Sequence, residues 1–246
     1  LLPRLYEMNK IKPKLFLIHF AGGSCYSFSF PKRLSSHFEV TSLELPGRGR
    51  RVKESLITDF NTGAQDIFNQ INASVSNDFF LVYGHSMGAL LALAVTDLLE
   101  KSGKQSAGMI VSGTPGPRAA AMKTTRYLLG ADDFFQEVKK LGGLPEEIFD
   151  EPDLLSFYLP ILRADFEIAE KNDLSGHTGV KCPVLAIMGS EEETVGEIEN
   201  WKNFTSNHFE HRVLSGDHFF INNNSDRIAD LIVEFYDRIK KNELIK

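Results

Sequence analysis

Ser86 and His218 are the residues from which chemistry can start. Ser86 lies in Gly84-His85-Ser86-Met87-Gly88, between the apolar run Phe79 to Tyr83 and the helix-like run Ala89 to Val95. Strand, Gly-x-Ser-x-Gly, helix is the context in which a serine is held on a sharp, strained turn with its hydroxyl clear of the backbone. The helix N-terminus behind it favours negative charge developing there. Such a hydroxyl attacks an acyl carbon only if a base takes its proton as it does so. Of the seven histidines, His218 in Gly216-Asp217-His218-Phe219-Phe220 follows the last strand candidate in a short loop and is the expected base. His85, inside the elbow, is expected to point away from the nucleophile's face and pack. His19, at the end of the first strand, is a candidate for shaping the pocket. His37, His177, His208 and His211 read as surface or loop residues.

A base of this kind needs an acid that accepts its second N–H, fixes the tautomer and stabilises the imidazolium. The acid should come between Ser86 and His218, at a strand's carboxyl end. Gly189-Ser190-Glu191-Glu192-Glu193-Thr194-Val195 offers carboxylates there, with Glu192 the first choice and Glu191 the second. The competing reading is a solvated acidic loop. Two backbone N–H groups should face the oxygen that becomes negative, each worth on the order of 3 kcal/mol in the transition state. Met87, after the nucleophile, supplies one. Ala21, in Phe20-Ala21-Gly22-Gly23-Ser24 after the first strand, supplies the other.

The elements that must position these groups alternate. Leu15 to His19, Val40 to Leu45, Phe79 to Tyr83, Met109 to Ser112, Val184 to Met188 and His211 to Leu214 are strand candidates. Thr62 to Val75, Ala89 to Lys101 and Ser225 to Lys240 carry apolar residues at helical spacing. Alternation predicts a mostly parallel sheet covered on both faces. From Arg118 to about Thr178 only helix-like pieces occur, separated by Gly142-Gly143, Pro145, Pro152 and Pro160. This insertion fits a lid over the carboxyl ends of the sheet, or else helices that merely pad the fold.

The chain has 246 residues, 42% hydrophobic and 24% charged, the composition of an ordinary globular protein, and its length allows one large α/β domain or two small ones. A net charge of -6 without a basic block argues against nucleic acid. Cys25 and Cys182 lack metal-ligand spacing and read as reduced thiols of a cytoplasmic protein, a single bridge being the alternative. No apolar run reaches membrane-spanning length. Leu1 to Glu7, and more broadly residues 1–10, read as a leader or cloning remnant, and Met8 offers a native start. No metal or cofactor is expected. With no surface seam visible, neither is an oligomer.

Further motifs extend the pattern along nearly the whole chain, from about Lys14 to Phe235. They are His19-Phe20-Ala21-Gly22-Gly23-Ser24, Leu45-Pro46-Gly47-Arg48-Gly49-Arg50-Arg51, Leu141-Gly142-Gly143-Leu144-Pro145 and Leu159-Pro160-Ile161-Leu162-Arg163-Ala164-Asp165-Phe166. Together with the serine elbow and the His218 loop, they resemble the type II thioesterases of nonribosomal peptide and polyketide assembly lines.

That resemblance implies a single α/β-hydrolase domain over 1–246, with a mostly parallel central sheet and a helical lid. It also implies hydrolysis of acyl thioesters on the phosphopantetheine arm of acyl or peptidyl carrier proteins. Ser86 matches the family nucleophile and His218 its base. Glu192 falls where the family usually has aspartate, so either the loop retreats by a methylene or Glu191 substitutes. The alternative acid position after the Met109 to Ser112 strand holds Gly113-Thr114-Pro115 and no carboxylate.

Arg163 and Asp165 either shape the pantetheine entrance or form a local ion pair, the second being preferred. Arg48, Arg50 and Arg51 either meet a carrier protein or its phosphate, or solvate a loop. Phe28, Phe30 and Phe38 read as core, with one ring available to line an acyl pocket. Two other functions compete: a carboxylesterase acting on small oxygen esters, and a non-catalytic ligand-binding protein on the same fold.

Overall fold

Residues 12–76, 79–117, 124–142, 151–174 and 177–244 are described by the computed structural model. The suggested leader and Gly143-Leu144-Pro145 fall outside them. Among the described residues the six strand candidates form one parallel sheet in the order β2-β1-β3-β4-β5-β6. The strands are β1 (Lys14–Ile18), β2 (Glu39–Leu43), β3 (Phe80–His85), β4 (Gly108–Ser112), β5 (Val184–Gly189) and β6 (Phe209–Leu214). β3, β4 and β5 are buried at every position, which is why they read as unbroken apolar runs. The edge strand β2 instead alternates and exposes Glu39 and Thr41.

Helices α1 (Phe60–Ser74) and α2 (Met87–Lys101) cover one face. Asp59 caps α1, its side chain accepting the N–H of Thr62 at 2.7 Å. The other face packs on Phe28, Phe30, Phe38 and the long C-terminal helix. All three rings are buried in that core, as expected, and none lines the cleft beside Ser86. Each fully buried aliphatic or aromatic side chain contributes roughly 1.5–3 kcal/mol.

Between β4 and β5 the described residues hold helices α3 (Ala131–Leu141) and α4 (Pro152–Glu170) and no strand. Pro152 opens α4 at its first turn, where its missing N–H costs nothing. Pro160 does not separate two pieces: α4 runs straight through it. Its ring sits on the exposed side, so the carbonyl it leaves unbonded is at the solvent face. Phe134, Val138, Leu162 and Phe166 give the insertion a small core of its own. Helix α5 (Ser225–Leu244) closes the chain.

The strand order reverses at β1, whose neighbours are β2 on one side and β3 on the other. In open parallel sheets the crevice at such a reversal is where ligands bind. Ile18 of β1 stands beside Gly84 of β3, so the glycine loop and the serine elbow leave the sheet side by side. No helix among the described residues is long and apolar enough to cross a membrane. Cys25 and Cys182 are both free and buried, so the alternative bridge does not form.

Candidate active site

Ser86 has φ 55° and is the only described non-glycine residue with positive φ. Its N–H donates to the carbonyl of Ser112 at 2.8 Å, and its carbonyl accepts from Ala89 at 3.0 Å as α2 begins. Close approach explains both flanking glycines. A Cβ at Gly84 would lie 2.0 Å from the carbonyl oxygen of Gly88, and one at Gly88 would lie 2.4 Å from that of Ile18. Only bare backbone lets β3 turn so abruptly into α2.

His218 is brought to this serine from the far end of the chain. Its Nε2 lies 3.0 Å from Ser86 Oγ, and its Nδ1 lies 2.9 Å from Glu192 Oε2. A carboxylate only accepts, so Nδ1 carries the proton and Nε2 is left to accept from the serine hydroxyl. Glu192 is 7% exposed, and its other oxygen accepts the N–H of Gly189 at 2.8 Å. Two backbone bonds join the loops after β5 and β6: Ser190 N–H to Leu214 at 2.7 Å, and Glu191 N–H to Gly216 at 2.9 Å. These bonds tie the acid loop to the histidine loop.

Beneath His218 lies His85, with ring centroids 5.2 Å apart. His85 is fully buried, with Nδ1 2.9 Å from Ser112 Oγ, which in turn meets the Tyr83 hydroxyl at 2.7 Å. Burial, and secondarily the nearby His218, hold His85 well below the ordinary histidine pKa. It stays neutral and adds no charge against an imidazolium above it. Phe219 and Phe20 close the sides, each edge-on to a neighbour at 5.1 Å.

The N–H groups of Ala21 and Met87 donate to no protein acceptor among the described residues. The adjacent N–H of Gly22 is taken by Asp165 Oδ2 at 2.7 Å. Ala21 and Met87 line a cleft of about 480 Å³ together with Ser86 and His218. A serine, a proton acceptor with its carboxylate, and two open amides form a constellation suited to acyl transfer.

Residues 13–236 match the thioesterase domain family. The chain belongs to that family. As a thioesterase it is a hydrolase acting on thioesters. It is 31% identical over 218 residues to the gramicidin S biosynthesis protein GrsT of Aneurinibacillus migulanus, covering 85% of this chain and 83% of that one. The type II thioesterase YbtT of the yersiniabactin NRPS/PKS pathway superposes with a TM-score of 0.81 at 27% identity, over 94% of this chain and 95% of that one. ClbQ from the colibactin NRPS/PKS pathway shares the fold, with a TM-score of 0.87 at 21% identity, covering 93% and 98% of the two chains.

In this thioesterase the cleft runs from Ser86 under the insertion, walled by Leu90, Val138, Leu141, Leu162 and Phe166. A hollow of similar size, about 500 Å³, opens beside Cys182 and Arg238. It lies at the amino ends of the strands, away from Ser86, where open parallel sheets do not bind their substrates. Among the described residues no group of His, Cys, Asp or Glu could hold a metal ion.

Glu192, the first choice for the acid, meets His218, and its second oxygen accepts the N–H of Gly189. Several other expectations need correction. His85 packs, but against His218 itself rather than away from the site. His19 does not line the cleft. It is fully buried, its Nε2 accepting the N–H of Leu45 at 3.3 Å and its Nδ1 donating to the Phe20 carbonyl at 2.8 Å. His211 lies half-buried within β6, in the strand expected over His211 to Leu214. Arg163 and Asp165 are not paired with each other. Arg163 donates to the carbonyls of Tyr127 and Leu129 at 2.6 and 2.8 Å, and Asp165 binds Arg48. Arg48 is buried and Arg51 is held by Glu54 and Asp66, which leaves Arg50 as the exposed member of that trio. Phe20 and Phe219 line the cleft and were not singled out. Their positions beside the glycine loop and after His218 were the available signal.

Proposed function

We propose that this thioesterase is of type II, releasing acyl groups from the phosphopantetheine arm of acyl or peptidyl carrier proteins. Ser86, His218 and Glu192 act as nucleophile, base and acid, and the amides of Ala21 and Met87 as oxyanion donors. The observation that carries this reading is the hydrogen-bonded relay from Ser86 through His218 to Glu192, at 3.0 and 2.9 Å. Ser86 Oγ attacks the thioester carbonyl as its proton passes to His218 Nε2, and the carbonyl oxygen becomes an oxyanion between the two amides. Collapse breaks the C–S bond, and the pantetheine sulfur leaves with the proton from His218. A water then gives its proton to the same nitrogen and attacks the acyl-serine, and the free acid departs as His218 returns that proton to Ser86.

The chemistry asks for no metal or cofactor. The apolar wall of Leu90, Val138, Leu141, Leu162 and Phe166 suits an acyl chain, and the insertion over it serves as a lid that excludes water. The enzyme acts as a cytoplasmic monomer; its two free thiols suit a reducing compartment. The membership of its relatives in NRPS/PKS pathways supports the choice of carrier proteins over free esters.

The deciding experiment compares kcat/KM on matched thioester and oxygen-ester substrates, free and attached to a carrier protein. A preference for the carrier-bound thioester is expected. Faster turnover of free oxygen esters, indifferent to the carrier, would make the protein a carboxylesterase instead.

A further inference from the structure

The loop that bears Ala21 is a turn in which Gly23 N–H donates to the Phe20 carbonyl at 2.9 Å, with Ala21 and Gly22 at its corners. Gly22 has φ 77°, and Ala21 is not in the positive-φ region, so the turn is of type II. Types I and II differ by a flip of the middle peptide, the one that carries the Gly22 N–H. That N–H is the group held by Asp165 Oδ2 at 2.7 Å.

Asp165 is itself gripped. Arg48 Nη2 donates to Asp165 Oδ1 at 2.8 Å, and Arg48 Nη1 donates to Oδ2. Nη1 also reaches the Gly23 carbonyl at 3.5 Å. The two side chains are 3% and 0% exposed, so the fork is sealed from water. One residue of the pair belongs to the loop after β2 and the other to α4 of the insertion, 117 positions apart. Helix α4 also lies directly on the turn: a Cβ at Gly22 would come 2.5 Å from Leu162 Cδ2. None of the bonds that hold Ser86, His218 and Glu192 together passes through this pair.

We infer that Arg48 and Asp165 are positioning residues for the reaction. By fixing the middle peptide of the Phe20–Gly23 turn, they hold the turn whose first corner bears the Ala21 amide in the form the oxyanion meets, and make the seating of α4 a condition of turnover. The inference rests on Ser86 as nucleophile and Ala21 as oxyanion donor. A flip of the middle peptide would turn the Ala21 carbonyl toward the Asp165 carboxylate, which accepts only, so the charged clamp excludes the alternative turn.

The test uses the full chain, a short acyl-pantetheine thioester as substrate, and a trifluoromethyl ketone analogue whose adduct with Ser86 carries an oxyanion. Two double variants separate the clamp from the fold. Arg48→Met with Asp165→Leu removes both charges and the acceptor for Gly22. Arg48→Met with Asp165→Asn removes the charges but keeps an acceptor. Removing both partners avoids a lone buried charge.

For the leucine pair we expect kcat to fall about 100-fold with KM within threefold of wild type, and ketone affinity to weaken by the same factor as kcat. The asparagine pair should recover to within about tenfold of wild type. Equal losses in both pairs, or an unchanged kcat in the leucine pair, would overturn the inference. So would ketone affinity that stays constant while kcat falls. If the leucine pair does not fold, Arg48→Lys keeps the charge and loses the fork. A kcat loss near tenfold at constant KM is then expected, and an unaltered kcat counts against the clamp. Ser86→Ala is the separate control: activity surviving there defeats the nucleophile reading, whereas normal turnover in the clamp variants alone defeats only this inference.

Discussion

Glu192 does two jobs with two oxygens, one on His218 Nδ1 and one on the Gly189 amide. Replacing it by glutamine offers an N–H where an acceptor is needed and favours the wrong imidazole tautomer. Glu192→Gln should therefore lower kcat by about 10³–10⁴-fold, with the protein still folded by circular dichroism. Glu191, which makes no hydrogen bond with His218, should tolerate Glu191→Gln with kcat within about twofold of wild type. A reversal of those two results in steady-state kinetics would move the acid by one residue. Serine, histidine and glutamate were legible because each follows a strand that reads clearly as one, so chain order and loop position limited the choices. Which of two adjacent glutamates turns inward was not legible, since it depends on the backbone bonds joining the loops after β5 and β6.

At the scale of elements, the strand–turn–helix unit around Ser86 leaves no room for a methyl group. Gly84→Ala would set β3 backbone against α2 backbone, and no side-chain rotation relieves that contact. We expect a destabilisation of about 4 kcal/mol or failure to accumulate as folded protein, read from the midpoint of urea unfolding. A shift under about 1 kcal/mol would mean that the elbow can relax. The insertion sets the other boundary of the cleft. Ala169 lines it from the last turns of α4, so Ala169→Leu should shorten the acyl chamber. Its kcat/KM on a decanoyl thioester should fall at least about tenfold more than on an acetyl thioester. Equal effects on both would place the acyl chain elsewhere. The central strands were readable because burial on both faces makes them uniformly apolar. Continuity of α4 through Pro160 was not, because a proline's local preference for ending a helix is overridden when its ring faces solvent and the flanking turns are packed.

Across the whole molecule, pairings between distant loops decide what no local pattern could. Arg48 and Asp165 each looked like a surface or local-pair residue in its own segment. Only tertiary folding brings them to one buried fork. His19 is part of the same buried layer, and burial, followed by the charge of Arg48, lowers its pKa to about 4. Unfolded, the ring takes a proton near pH 6.5; folded, it refuses one until about pH 4. Stability is thus full above about pH 6.5 and is lost as pH falls toward 4, by on the order of 3 kcal/mol from this residue. Urea midpoints measured between pH 7 and pH 4.5 should fall for wild type. The fall should be smaller for His19→Gln, whose side chain does not titrate. An identical pH slope in both proteins would remove His19 from the account.

The most direct measurement is intact mass spectrometry of the enzyme, quenched milliseconds after mixing with an excess of acyl-phosphopantetheinyl carrier protein. Wild-type protein should gain the mass of one acyl group, mapped by peptide analysis to Ser86, and the release of free carrier thiol should show a burst. Ser86→Ala should gain nothing and release no thiol above background. Hydrolysis by the alanine variant at the wild-type rate, or acyl mass on any other residue, would contradict the nucleophile assigned here.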